Sequence, residues 1–354
     1  MDTHDTQPLD PFRRKMLATA ALGVAVAPLG LVRTARAASP TATPTATPTA
    51  RSAMATSFAP LKRVRAGLLD VEYAEAGPAN GPVVILLHGW PYDIHSYVEV
   101  APLLAKLGYR VLVPFLRGYG GTHFVSNDSL RNGQPSALAE DVVQFMDALR
   151  IRTAVLGGFD WGARSADIVA ALWPERVKAL VSVSGYLIGS QAAGQVPLPP
   201  EAELQWWYQF YFATERGRAG YDKYRHDFAR LIWKLASPKW AFDDATFDRS
   251  AASFANADHV DIVVHNYRWR LGLAQGEAKY DALEARLAQF PTISVPTITM
   301  EGDANGAPHP PPEAYAKRFG GKYEHRLITG GIGHNLPQED PHAFAQAIVD
   351  ADRL

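Results

Sequence analysis

The densest cluster of chemically suggestive residues is Gly157-Gly158-Phe159-Asp160-Trp161-Gly162-Ala163. Its Gly-x-Asp-x-Gly spacing has the form of a nucleophile elbow, a sharp strand-to-helix turn that lifts one side chain clear of the backbone. Such a turn presses together the residues two before and two after its apex, and here these are Gly158 and Gly162. An aspartate at the apex changes the chemistry. A serine needs a base to remove its proton, whereas aspartate is already ionised at neutral pH. It can attack a saturated carbon directly, leaving an alkyl ester on its own side chain. A base-activated water then opens that ester. Attack on an acyl carbon would instead give a labile anhydride, which argues against ordinary esterase chemistry. In isolation the same residues also read as a plain glycine-rich turn with Asp160 capping the next helix.

The neighbouring elements decide between these readings. Residues 82–88 (PVVILLH) form a continuous apolar run of strand length, as a strand covered on both faces should. Strands are also expected at 61–65, 69–76, 110–115, 153–157, 177–183, 297–301 and 323–328. Helical spacing marks 98–107, 137–149, 164–172, 312–319 and 341–352. This alternation predicts an α/β fold with a mostly parallel, doubly wound sheet. The rhythm breaks between about 186 and 291, where Trp206, Trp207, Trp233, Trp240 and Trp269 fall among helical patterns. An aromatic insertion of this length reads as a helical cap over the site. The core should therefore comprise 58–185 and 292–354, with the cap at 186–291.

Three further motifs close strands. His88-Gly89-Trp90-Pro91 ends the run 82–88, Gly302-Asp303 follows 297–301, and Gly331-Ile332-Gly333-His334-Asn335 follows 323–328. Nucleophile, acid and histidine thus come in the chain order of α/β-hydrolases, with the first motif placed to supply half of an oxyanion hole.

From about Leu61 onward the chain resembles the epoxide hydrolase and haloalkane dehalogenase branch of the α/β-hydrolases, with HGWP, GGFDWGA and GHNLPQEDP carrying the likeness. The resemblance implies Asp160 as nucleophile, His334 as general base and Asp303 as the acid orienting it. It also implies the backbone N–H groups of Trp90 and Trp161 as the oxyanion hole. In the cap, Tyr208-Gln209-Phe210-Tyr211-Phe212 and His265-Asn266-Tyr267-Arg268 resemble the segments that carry the epoxide-opening tyrosines, which points to Tyr208 and Tyr267. An epoxide leaves as an alkoxide and needs such donors; a halide leaves as a stable anion and needs only a polar cradle. Trp161 would serve either branch. Trp90 stands where haloalkane dehalogenases often carry Asn. Of the arginine pair typical of fluoroacetate dehalogenases only Arg164 is present.

The expectation is a cofactor-independent epoxide hydrolase acting with water on an apolar, small-molecule epoxide, in a pocket formed by Trp90, Trp161, Trp207 and Tyr211. A haloalkane or haloacid dehalogenase with the same residues, and a non-catalytic ligand-binding protein of this fold, are the alternatives. Arg117-Gly118-Tyr119-Gly120 reads as structural ordering.

Composition excludes other classes. With 354 residues, 47% hydrophobic and 20% charged, the chain can bury a large core. A net charge of −1 gives no electrostatic reason for a nucleic-acid or anionic-membrane partner. There are no cysteines, so thiol chemistry and disulfides are excluded. No HExxH-like spacing suggests a metal. Residues 1–38 have the layout of an export signal: Arg13-Arg14-Lys15, a short apolar stretch and an Ala35-x-Ala37 cleavage site. They resemble a twin-arginine signal, so a periplasmic or exported protein beginning near Ala38 or Ser39 is expected. Residues 39–57, a Thr-Ala-Thr-Pro repeat, should be an extended linker.

Overall fold

The structure, a computed structural model, describes residues 57–354 apart from Ala59. The expected export signal and nearly all of the linker lie outside the described residues.

Nine strands form one sheet among the described residues: β1 (Lys62–Ala66), β2 (Leu69–Ala76), β3 (Val83–Leu87), β4 (Arg110–Pro114), β5 (His123–Phe124), β6 (Ala154–Gly158), β7 (Val177–Val183), β8 (Thr297–Gly302) and β9 (Tyr323–Ile328). Their order is β1-β2-β4-β3-β6-β7-β8-β9, with β5 added to β2. From β4 to β9 the neighbours are parallel; β1, β2 and β5 make the antiparallel part. The apolar runs occupy the centre: β6 and β8 are buried throughout. The two-residue β5 is too short to show alternation in sequence. The helix expected over 312–319 is a short turn, Pro312–Tyr315, followed by the 3₁₀ turn Ala316–Arg318.

Two adjacent glycines show how the sheet is covered. A side chain at Gly157 would meet Ile348 on helix Pro341–Arg353, whereas one at Gly158 would meet the start of helix Trp161–Leu172. Successive strand residues face opposite sides, so these two helices pack on opposite faces. Val100–Lys106 joins the first and Pro135–Ala148 the second.

Between β7 and β8 lie the helices of the cap, from Gln191–Gly194 to Asp281–Leu287. The long helix Glu215–Ala236 begins at Thr214, whose hydroxyl accepts from the Gly217 N–H at 2.9 Å, and kinks at Tyr224. His259–Arg270 contains the β-branched run Val260, Ile262, Val263, Val264. Such residues disfavour a helix intrinsically. Here all four are buried, and their packing outweighs the propensity.

Strand order reverses between β3 and β6, and ligands of open α/β sheets bind at the carboxyl ends of strands at such a switch. Leu87 pairs with Gly158, so the segments leaving β3 and β6 start side by side. Trp90 and Asp160 belong to those two segments.

Candidate active site

Asp160 sits at the apex between β6 and helix Trp161–Leu172 with φ 53° and ψ −124°. This is an unusual backbone for a residue with a side chain, and such conformations concentrate at functional sites. The flanking glycines permit it. A Cβ on Gly158 would lie 2.5 Å from the Gly162 carbonyl carbon, and one on Gly162 would lie 1.9 Å from the Leu87 oxygen.

The Asp160 carboxylate is held at both oxygens. Oδ1 accepts from the Trp90 N–H at 2.7 Å, and Oδ2 lies 3.5 Å from His334 Nε2. Burial alone would raise its pKa. The hydrogen bond and charge of His334, the Arg164 guanidinium and the Trp90 N–H outweigh burial and hold it below the usual carboxylate range. Asp160 is therefore ionised at neutral pH. Among the described residues, Trp90 supplies the one backbone N–H bonded to this carboxylate.

Trp90 is itself anchored through its side chain. Its indole N–H donates to the Tyr221 hydroxyl at 2.9 Å, and Tyr221 lies 2.8 Å from His259 Nε2. His259 Nδ1 is 2.9 Å from the Gly118 carbonyl, which can only accept, so Nδ1 carries the proton and Nε2 accepts from Tyr221. Burial lowers the His259 pKa to about 3 and keeps the ring neutral. One chain of donors and acceptors thus runs from Trp90 through two cap helices to the core loop at Gly118. That loop is fixed by Arg117, which is fully buried and donates Nε and one terminal nitrogen to Asp141 at 2.6 and 2.7 Å.

His334 lies between the rings of Tyr92 and Phe159, each 6.0 Å away between centroids. Its loop is clamped by two carboxylates. Glu339 accepts from the N–H groups of Gly333 and Asn335 and from Ser237 Oγ, at 2.6, 3.1 and 2.6 Å. Ser237 Oγ in turn accepts from the His334 N–H at 2.9 Å. Asp303 is the second carboxylate, and here the sequence expectation needs correction. It is exposed and accepts from the N–H groups of Gly330, Gly331 and Ile332 at 3.1, 2.8 and 3.0 Å. Its side chain turns into that loop rather than toward the imidazole. His334 Nδ1 is buried and has no hydrogen-bond partner among the described residues.

Tyr208 and Tyr267 come together over the nucleophile. Their rings cross edge to face with centroids 5.3 Å apart, and each lies 5.2 Å from the Trp90 ring. Burial and the Asp160 charge raise the Tyr208 pKa to about 12; burial, the neighbouring Tyr208 and Asp160 raise that of Tyr267 further. Both phenols are therefore protonated donors at neutral pH.

A cavity of about 740 Å³ contains Asp160, Trp161, Tyr208, Tyr267 and His334 on its walls, a size ordinary for a small-molecule site. Trp90, Trp207 and Tyr211, expected in the pocket, are not on the walls. Trp90 is buried behind Asp160 and presents its backbone. Trp207 and Tyr211 pack on Phe228 at 5.2 and 5.8 Å, inside the cap. Arg270 and Ser184 are among the wall residues that carry no role in the sequence reading. Arg270 falls three positions after Tyr267, on the same face of the helix, and that spacing is the signal that could have found it. Ser237 and Glu339 were also missed; only the structure brings Ser237, in the cap, to the His334 loop.

Residues 82–256 match the alpha/beta hydrolase fold family. A crystal structure of a provisionally assigned epoxide hydrolase from Klebsiella pneumoniae is 64% identical, with a TM-score of 0.84, covering 85% of this chain and 99% of that one. Epoxide hydrolase A of Mycobacterium tuberculosis is 28% identical over 304 residues, 78% of this chain and 92% of that protein. The epoxide hydrolase of Caballeronia sordidicola is 36% identical over 104 residues, and this chain spans about a third of its length, 31%.

Proposed function

This chain belongs to the α/β-hydrolase superfamily, in its epoxide hydrolase branch, and is a hydrolase; we propose that it converts an epoxide and water into a vicinal diol through an ester on Asp160. The observation that carries this reading is the convergence of an ionised Asp160, His334 and two protonated tyrosines on one cavity.

In the first step Asp160 Oδ2, the oxygen not bound by Trp90, attacks an epoxide carbon. The carbon–oxygen bond breaks, and the departing oxygen takes a proton from Tyr208 or Tyr267 while the other phenol donates a hydrogen bond. The high phenol pKa values keep both donors loaded until the alkoxide forms. In the second step His334 Nε2 takes a proton from water, whose oxygen attacks the Asp160 carboxyl carbon. Negative charge then gathers on Oδ1. The Trp90 N–H already points there, and the N–H of Trp161, first residue of its helix, is the natural second donor. Collapse breaks the ester bond, the leaving alkoxide takes the proton from His334, and the second proton of the water returns to the tyrosine that gave its own, which releases the diol and leaves Asp160 ionised. Glu339 places a carboxylate near the imidazolium that forms and holds its loop; Asp303 steadies the same loop from the other side.

A second reading is kept for one observation. The Trp161 indole N–H is buried without a partner among the described residues, and a halide could take it. Intact mass separates the two. His334→Gln should accumulate the Asp160 ester after exposure to styrene oxide, with a gain equal to the whole epoxide that Asp160→Asn does not show. An alkyl-only gain, seen with a bromoalkane or a haloacid and not with the epoxide, would replace epoxide hydrolysis with dehalogenation.

A further inference from the structure

Two guanidinium groups share the cavity with the nucleophile. Arg164 stands one turn along its helix from Asp160, and Arg270 one turn along the cap helix from Tyr267; both line the walls. Among the described residues neither makes an ion pair. Arg164 donates Nε to the Leu187 carbonyl at 3.2 Å. The Arg270 guanidinium lies 4.7 Å from the centre of the Trp206 ring and 5.7 Å from that of Tyr267.

The carboxylates within view are otherwise engaged. Asp167 accepts from the Leu187 N–H, Glu203 from the Leu198 N–H, and Asp160 is held by Trp90. Elsewhere in the cap, Arg268 pairs with Glu215 at 2.9 Å and Arg218 with Asp261. The two cavity arginines make no such pair and face the site instead. Burial and the nearby Arg164 bring the Arg270 pKa down to about 10, so it remains a cation at neutral pH. Holding two like charges together in a half-buried cavity costs free energy unless an anion joins them.

We propose that the substrate carries a carboxylate, gripped between Arg164 and Arg270 while its epoxide lies at Asp160. The reacting end of this proposal rests on the epoxide reading; the anion site does not. A carboxylate nucleophile by itself repels an anionic substrate, and the two cations offset the charges of Asp160 and Glu203, the carboxylates on the walls. The Trp206 ring lies against the Arg270 guanidinium, whose planar fork suits bidentate binding of a planar oxyanion. Each arginine begins one helical turn, roughly 5 Å of rise, from a reacting residue. That places the acid a few carbons from the epoxide ring rather than at the end of a long tail. The aromatic walls then enclose the intervening carbons, and the pocket is amphipathic rather than apolar.

Two measurements test this. The first compares kcat/KM for 3-(oxiran-2-yl)propanoate and its primary amide. The acid should be favoured at least tenfold by the native protein, and the acid-to-amide ratio should fall at least tenfold in Arg270→Gln and in Arg164→Gln, with partial recovery in Arg270→Lys. The second uses calorimetry with 3-phenylpropanoate and 3-phenylpropanamide, neither of which can react. The acid should bind at least tenfold more tightly, and the arginine variants should erase the difference. Equal turnover and equal binding of acid and amide by the native protein would overturn the proposal while leaving epoxide hydrolysis intact. Selective acid binding with no turnover of any epoxide would do the reverse. Because the native protein alone supplies the decisive comparison, a variant that fails to fold does not rescue the idea.

Discussion

Replacing Tyr221 by Phe removes one oxygen atom and changes little else in volume, yet it cuts two hydrogen bonds at once. The Trp90 indole N–H loses its acceptor and His259 Nε2 loses its donor. Both groups are fully buried, with Trp90 2% and His259 0% exposed, so neither can turn to water. Each orphaned buried group costs about 1–3 kcal/mol, which gives about 2–6 kcal/mol for the substitution. At roughly 2–4 °C per kcal/mol for a domain of this size, the melting temperature should fall on the order of 10 °C. Two other buried tyrosines provide the scale. Tyr97 donates a single bond to the Leu87 carbonyl at 2.7 Å, and Tyr97→Phe should cost about 1 kcal/mol. The Tyr119 hydroxyl is buried with no partner among the described residues, and Tyr119→Phe should be neutral or stabilising. Guanidinium unfolding of the three variants reads all three values in one experiment. The reasoning fails if Tyr221→Phe costs no more than Tyr97→Phe, because the chain through Trp90 and His259 would then carry no energy of its own.

Three further outcomes are expected. In the His334→Gln background, Tyr208→Phe and Tyr267→Phe should each slow formation of the Asp160 ester at least about tenfold, since each removes one donor to the leaving oxygen; stopped-flow alkylation at unchanged rates would exclude the pair. Asp167, fully buried, has its pKa raised by burial to about 8 from an ordinary 3.8. The folded protein therefore keeps a proton that the unfolded chain loses, and stability should fall as pH rises from about 4 to about 8, by at least about 1 kcal/mol between pH 5 and 8. Asp167→Asn should flatten that slope, and an equal slope in both proteins would refute the assignment. Finally, we propose export through the twin-arginine-like segment: the protein recovered from a periplasmic fraction should begin near Ala38 or Ser39 by N-terminal mass, and one beginning at Met1 would end the idea.

The sheet was legible because its central strands are buried on both faces and so had to be written as unbroken apolar runs. Val83–Leu87 falls within a residue of where such a run placed it. The elbow was legible because only glycine tolerates the contacts at positions 158 and 162. What the sequence could not convey was direction. Asp303 ends the correct strand, but one rotation of its side chain decides whether it meets the imidazole or the loop before it, and it meets the loop. Aromatic side chains were equally mute. Trp161 reaches the cavity, while Trp207 and Tyr211 fill the cap around Phe228, and helical periodicity cannot distinguish the two in a segment apolar nearly all round. Arg270 was hidden because a charge in a sequence reads as solvated until its surroundings are known.

The bond chain behind Trp90 also bears on traffic through the site. Tyr221 and His259 fasten the cap to the core at Trp90 and Gly118, and the Trp233 indole N–H donates to the Pro91 carbonyl at 2.7 Å close by. None of these residues lies on the cavity walls, part of which comes from residues between Tyr186 and Leu198 together with Pro308 and Pro310. The cap is therefore riveted to the core behind the nucleophile, at points away from the cavity. Exchanging the 187–198 segment should therefore alter how fast molecules pass while the bonds behind Trp90 keep the nucleophile in register.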